Sequence, residues 1–375
     1  YIFGKSTNSI ICTGAAASRV FQQGAYLGNP EFIQVHPTAI PGIDKLRLIS
    51  EAVRGEGGRV WTYKDGKKWF FFEEMFPKYG NLVPRDIASR TIYKVVNEMK
   101  LGVENQQAVY LDVTHLNPAI WKKLEGVLDI YRKFMGKDPT KEPMLIYPAV
   151  HYSMGGLWVD YNHMTNIDCL FAVGECDYQY HGANRLGANS LLSGIYSGFL
   201  CGARSIDYLK NKSLPYPPDS VYEDEVKRQQ ELFKKLINSS GTENPYLLYK
   251  EMAQYMGNNC LIVYYDDKLK ITLNKLQELS DRYNNIELVD KGNWANQSLL
   301  FARQLYDMLI YARAVATAAL NRKESRGSLY KPEYPKRDDD NWLKTTIARF
   351  VDGKIELSYQ KVETPYIKPV ERKYT

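Results

Sequence analysis

The stretch His181-Gly182-Ala183-Asn184-Arg185-Leu186-Gly187-Ala188-Asn189-Ser190-Leu191 gathers residue types that bind more readily than they pack. Its glycines and alanines let backbone approach a flat or anionic molecule, and Arg185 adds a planar fork matched to a carboxylate. Asn189-Ser190 then opens a helix through Leu191, Ile195, Phe199 and Leu200, aiming free N–H groups and a positive dipole end at whatever precedes it. On its own, such a loop is as often an ordinary helix start as a binding site. The apolar run Leu170-Phe171-Ala172-Val173 reads as a buried strand entering the turn Gly174-Glu175, where a dinucleotide-binding sheet holds its ligand. Glu51 and Arg54 are three apart and share one face of a helical turn; spacing alone makes them a surface ion pair. The run Arg54-Gly55-Glu56-Gly57-Gly58 lacks the Gly-Lys-Ser/Thr of a phosphate loop.

Longer phrases give these residues a common setting. Gln34-Val35-His36-Pro37-Thr38, residues 50–58, Pro84-Arg85-Asp86, residues 151–157, residues 174–191 and Glu324-Ser325-Arg326-Gly327 follow one another in order. Together they resemble the flavoprotein subunit of succinate dehydrogenase and fumarate reductase over essentially the whole chain. The wording is most similar to the branch anchored by a di-haem cytochrome serving a low-potential quinone. The resemblance implies FAD as cofactor and succinate and fumarate as substrates. It implies an iron–sulphur protein subunit and a membrane cytochrome b anchor as partners, with quinone reached through them. The expected place is the cytoplasmic side of a bacterial inner membrane, peripheral through partner subunits. The Gly-x-Gly-x-x-Gly phosphate turn and the histidine that bonds covalently to flavin are expected before Tyr1, so the sequence reads as part of a longer product.

Residue roles are likewise what the resemblance implies. His36, Ser50, His151 and Arg185 hold the two carboxylates, with Ser50 standing where threonine is commoner. Arg85 exchanges a proton with the substrate carbon, Arg54 stands beside it, and Glu51 passes protons outward. Glu175 accepts ribityl or ribose hydroxyls, Ser190 and Leu191 supply backbone amides near the pyrimidine end of the flavin ring, and Asn189 also binds the cofactor. No metal site is expected. Thr13-Gly14-Ala15-Ala16 falls where many relatives carry Thr-Gly-Asp-Gly, so the aspartate that makes one adenosine contact in the family is absent at Ala15. Oxidising a saturated dicarboxylate removes a hydride from one methylene and a proton from its neighbour, which requires both carboxylates to be fixed. A free guanidinium is a poor base near neutral pH; a neighbouring cation and a closed, dry site lower the cost of its transient deprotonation. A lone histidine is more often a satisfied core residue, and His115 and His163 keep that reading.

The scaffold expected to position these groups is α/β plus α. A partial FAD-binding Rossmann-like domain (1–30 and 151–210) carries an inserted α+β capping domain (31–150). A helical domain (211–320) and a C-terminal domain (321–375) follow. A helix is expected over 15–26. Residues 60–63 and 69–72 flank Asp65-Gly66 as a β-hairpin. Residues 86–99 read as a helix with Ile87, Ile92, Val95 and Val96 inward, and 109–113 as a strand. After a proline-rich linker (211–219), Ser220 and Glu223 have capping-box spacing at the head of a helix to about 237. Further helices are expected over 246–256, 268–283 and 293–320. The last has an apolar stripe through Leu299, Ala302, Leu305, Leu309, Ala312, Ala316 and Ala319, leaving Arg303, Gln304 and Asp307 off it. A strand pair is expected near 347–359.

Composition bounds the alternatives. The 375 residues suffice for two or three buried cores. A net charge of +6, spread along the chain, gives little support for nucleic-acid binding. Five cysteines without a Cys-x-x-Cys spacing fit neither a metal cluster nor a disulfide framework. No apolar run approaches the roughly 20 residues that span a bilayer. The rivals are a fumarate reductase by physiological direction, an L-aspartate oxidase-like enzyme sharing Glu324-Ser325-Arg326-Gly327, and a non-catalytic scaffold.

Overall fold

The computed structural model describes residues 1–42, 45–210, 212 and 216–370. Helix α1 (Ala15–Gln22) ends before Tyr26, because Gly24 turns left-handed at φ 101° and a right-handed helix cannot pass through it. The short strand β1 (Leu27–Gly28) leads to β2 (Ile33–Ile40), every residue of which is buried. After β3 (Arg47–Leu48) and the single turn α2 (Ala52–Gly55), strands β4 (Arg59–Lys64) and β5 (Lys67–Trp69) form the expected hairpin. Asp65 and Gly66 both take positive φ, as a two-residue hairpin turn requires.

The second strand of that hairpin stops early. Phe71 and Phe72 were expected in it but begin α3 (Phe71–Met75). Both are fully buried, and adjacent buried side chains suit a helical turn in a core better than a strand that alternates its faces. Helix α4 (Arg85–Tyr93) continues through a wider turn over residues 94–98, with Ile92, Val95 and Val96 buried and Ile87 half-buried. Strand β6 (Val109–Asp112), helices α5 (Pro118–Lys123) and α6 (Glu125–Met135), and strand β7 (Met144–Ser153) complete this region.

The resulting antiparallel sheet has the order β3-β2-β7-β6-β4-β5. Strands β2 and β7 pass through two cores. Ile40, Met144 and Ile146 pack with the helices and strands between them, while Ile33, Val35, Val150 and Tyr152 join the core of the C-terminal helices. Their ladder is interrupted twice. Gln34 faces Tyr152 and Val35 faces Val150, so His151 is an extra residue on β7. Then His36 faces Ala149 and Ala39 faces Tyr147, so β2 carries an extra residue beside His36. Each bulge bends its strand and re-aims a side chain.

Strand β8 (Gly156–Leu157) joins a second antiparallel sheet, β10-β9-β1-β8, whose outer hairpin is β9 (Lys344–Val351) and β10 (Lys354–Lys361), as expected. Glycine is needed at 155 and 156: a Cβ there would meet Asn29 O at 2.0 Å and Cys176 O at 2.4 Å. The strand expected over residues 170–173 does not form. Phe171 makes one bridge to Met164, and without a continuing partner ladder the backbone passes into a short 3-10 turn over Gly174–Cys176.

Helix α7 (Asn189–Lys210) begins where expected. The linker 211–219 lies partly outside the described residues. Helix α8 (Asp219–Ile237) starts one residue before Ser220 and has no side-chain cap, so the capping box does not form; Ser220 is already inside the helix. Helices α9 (Pro245–Asn259), α10 (Asp266–Tyr283) and α11 (Gln297–Asn321) pack as a bundle, with α12 (Asp339–Trp342) a single turn before β9. The stripe of α11 is buried from Ala302 to Ala319. Arg303 and Asp307, expected outside it, are buried too. Asp307 accepts from Arg303 (3.3 Å), from Arg19 Nε (2.9 Å) and from Gln22 (3.0 Å), an ion pair that ties α1 to α11. Helical spacing shows which face is apolar but not which charges find partners on another helix.

Candidate active site

The two bulges bring His36 and His151 together. Their rings lie edge to face with centroids 5.0 Å apart. His36 is 1% exposed, and its Nδ1 accepts from the Thr38 amide at 3.3 Å, which places the ring proton on Nε2. His151 Nδ1 shares a hydrogen bond with Thr7 Oγ1 at 2.8 Å. Burial holds the His36 pKa well below the usual histidine value, and Arg85, His151, Arg54 and Arg185 add to the effect. His151 is pushed down to about 4, first by burial and then by Arg85 and Arg185, with Glu51 opposing. Both imidazoles are therefore uncharged near neutral pH.

Arg85 stands at the first turn of α4 and Arg54 at the end of α2. Between them Glu51 gives one oxygen to each. Oε1 accepts from Arg54 Nη2 at 2.9 Å, and Oε2 accepts from Arg85 Nε and Nη2 at 3.2 and 3.0 Å. Spacing read Glu51–Arg54 as a surface pair, but Arg54 is buried. Its other contacts are the carbonyls of Asn81 (2.6 Å) and Val83 (3.1 Å), supplied by the loop before α4, which spacing could not foresee. Burial lowers the Arg54 pKa, Glu51 opposes this, and Arg85 adds to it. Ser50 is half-buried beside this group, and its hydroxyl accepts from the Ala52 amide at 3.3 Å.

The loop before α7 closes over the cluster. Gly187 lies so near that an added Cβ would stand 2.8 Å from Glu51 Oε2 and 3.4 Å from Arg85 Nη2. Gln34 joins the two sides: its Oε1 accepts from Arg85 Nη1 (3.0 Å), and its Nε2 donates to Arg185 O (2.7 Å) and Asn184 Oδ1 (3.1 Å). Arg185 is 4% exposed, with its guanidinium carbon 4.5 Å from the centre of the Tyr152 ring. Burial lowers its pKa, as does Arg85; Tyr152, Glu175 and Glu51 oppose. Among the described residues the Arg185 guanidinium makes no hydrogen bond or ion pair. Three guanidiniums (Arg54, Arg85, Arg185) and two neutral imidazoles thus gather around Glu51, the one carboxylate bonded to them, with Glu175 acting on Arg185 without a bond. A buried excess of positive charge on that scale suits an anion with two negative charges.

The candidate flavin residues lie alongside. Glu175 Oε1 accepts from the Ser153 amide at 3.0 Å. Its carboxyl is open to solvent at one side, yet the protein packed around it raises its pKa through lost solvation, with Ser153 and Arg185 opposing. Asn189 donates to Gly187 O (2.9 Å) and so braces the loop. Ser190 and Leu191 belong to the first turn of α7, where amides have no intrahelical acceptor. Leu191 is 77% exposed. Free amides for carbonyl oxygens, exposed apolar surface for a ring and a carboxylate for hydroxyls form a donor set that fits a flavin nucleotide. Sequence reasoning missed Gln34, Tyr152 and Thr7. Gln34 and Tyr152 lie next to flagged histidines in the same phrases, whereas nothing near Thr7 announces its role.

Residues 1–191 match the family model described as FAD binding domain. The chain belongs to that family. Residues 249–374 of this flavoprotein match a second model, described as fumarate reductase flavoprotein C-term. It is 54% identical over 379 residues to a succinate dehydrogenase flavoprotein subunit of Bacillus subtilis (strain 168), covering 100% of this chain and 65% of the relative. It is 33% identical over 391 residues to a fumarate reductase flavoprotein subunit of Escherichia coli (strain K12), covering 100% of this chain and 64% of the relative. A solved quinol-fumarate reductase with menaquinol molecules superimposes with a TM-score of 0.91 at 32% identity, covering 98% of this chain and 66% of the other. The flavoprotein chain thus spans about two thirds of the length of these relatives.

Proposed function

We propose that this chain, within its full flavoprotein, interconverts succinate and fumarate with FAD. Electrons pass to an iron–sulphur protein subunit and through it to a quinone at a membrane cytochrome b anchor. The observation that carries the reading is the convergence of Arg54, Arg85 and Arg185 with His36 and His151 around one carboxylate. When bound, FAD supplies hydride acceptance and donation. His36, Ser50, His151 and Arg185 hold the substrate carboxylates. Arg85 exchanges the proton at the neighbouring carbon through its guanidinium, and Glu51, bonded to it, relays that proton to Arg54 and outward. Glu175, Asn189, Ser190 and Leu191 hold the flavin. Among the described residues no helix is long and apolar enough to cross a membrane, so attachment at the cytoplasmic face is assigned to the partner subunits. The same residues serve both directions.

The test uses the FAD-loaded full flavoprotein with an artificial electron acceptor. Succinate should bleach the flavin and reduce the acceptor, malonate should compete, and butyrate, with one carboxylate, should do neither. Equal activity on butyrate, or none on succinate, overturns the proposal.

A further inference from the structure

Burying a guanidinium without a partner is costly, and Arg185 is buried with none of its N–H groups bonded among the described residues. What lies against it is the face of Tyr152, 4.5 Å from ring centre to guanidinium carbon. An aromatic face attracts a cation without using any of its donors. The ring is itself held: Tyr152 is 4% exposed, and its ring meets that of His181 edge to face at 5.3 Å and 80°. His181 in turn shares a 3.1 Å hydrogen bond with Ser193. Tyr152 also follows His151 directly, at the bulge of β7. One strand segment thereby supplies an imidazole to the site and a support for its arginine.

We infer that Tyr152 is the positioning residue for Arg185, holding the guanidinium by its ring face so that every donor of the fork stays available for a substrate carboxylate. The inference rests on the dicarboxylate reading above. It assigns Tyr152 no contact with substrate and no part in proton transfer.

The test is made in the FAD-loaded full flavoprotein. Tyr152→Phe and a series of phenylalanines carrying one, two and three ring fluorines at position 152 keep the shape and progressively empty the ring face. The probe is malonate, titrated against flavin absorbance, with flavin content and Tm as controls. Malonate affinity should fall steadily along the series, by roughly three- to thirty-fold in all, the range of a partly to fully desolvated cation–ring contact. Tyr152→Leu should raise KM for succinate more than it lowers kcat. An affinity that stays flat across the fluorinated series overturns the inference, whether or not Tyr152→Leu folds. A loss in Tyr152→Phe as large as in Tyr152→Leu overturns it as well, because the hydroxyl would then be the active part. If the unaltered flavoprotein binds no malonate, the dicarboxylate reading itself falls; if it binds malonate and the series is flat, only the role of Tyr152 does.

Discussion

Two groups of buried arginines, treated in opposite ways, lie in this molecule. Arg322, 1% exposed, uses all five donors. Nε bonds Glu31 at 2.8 Å, Nη1 bonds Glu324 at 2.8 Å and Trp342 O at 3.1 Å, and Nη2 bonds Lys344 O at 3.1 Å and Thr346 Oγ1 at 3.0 Å. Arg326 is paired with Glu324 and Asp339. No donor of Arg322 is left over for a ligand. At the other group Arg54 and Arg85 divide one carboxylate, and Arg185 has only a ring face. Complete pairing marks a lock between chain segments, here the approach to β2 and the C-terminal sheet. Incomplete pairing of equally buried cations marks a place kept for an outside anion.

If this contrast is right, the two groups should fail differently. The largest effect is expected from Arg85→Gln in the full flavoprotein. It removes the proposed proton carrier while keeping a polar side chain, so turnover should fall by about 10²–10⁴-fold. Malonate affinity and flavin content should be largely kept. Steady-state rates with both succinate and fumarate check this, and retention of more than about a tenth of the activity would move proton transfer to another group. Next, Arg322→Ala should strand Glu31 as a buried carboxylate held only by the Thr346 hydroxyl, at a cost of about 3–5 kcal/mol. Chemical denaturation should show that loss, while kcat/KM of the folded fraction holds. A drop in kcat/KM with unchanged stability would erase the distinction between lock and site.

The smallest effect sharpens the contrast through pH. His151 has its pKa lowered to about 4 in the folded chain, against about 6.5 when unfolded. Between those values the unfolded state binds the extra proton, so the contribution of His151 is fully present above pH 6.5 and is lost as pH falls toward 4. Asp177, raised to about 6 by burial, and Glu175, also raised, titrate oppositely over part of that window. A difference measurement therefore isolates the histidine. The stability of the unaltered chain relative to His151→Gln should decline as pH is lowered from 6.5 to 4; a constant difference would mean that His151 is not held uncharged.

What was legible in the sequence differs between the groups in the same way. Residues of the site sit in phrases whose order resembles a known flavoprotein, so His36, Glu51, Arg54, Arg85, His151 and Arg185 are legible in the sequence, and the structure brings all six together. The lock was not foreseen. Glu31, Arg322 and Thr346 are hundreds of positions apart along part of their circuit, and charge spacing carries no trace of pairing at that range. Asp307 is misread for the same reason: its partners Arg19 and Gln22 belong to another helix, and Arg303 is buried with it as its i, i+4 neighbour. The bulges were equally hidden. Strand β2 is buried on both faces, so its alternation of Ile33 and Val35 with Gln34 and His36 marks no solvent face against which an extra residue could be recognised.

Those bulges bear on the order of events during folding. His36 and His151 come from strands separated by the whole of residues 41–143, and they meet only when β2 and β7 have paired. Closing so long a segment carries an entropic cost that local helices do not share. The irregular register must also be found, since a slip of one residue would turn every side chain of a strand to its other face. Helices such as α11 can form early, but the imidazole pair can form only late. On the proposed function, binding of a dicarboxylate reports that this long-range and irregular pairing is complete, and a bound ligand would slow its undoing.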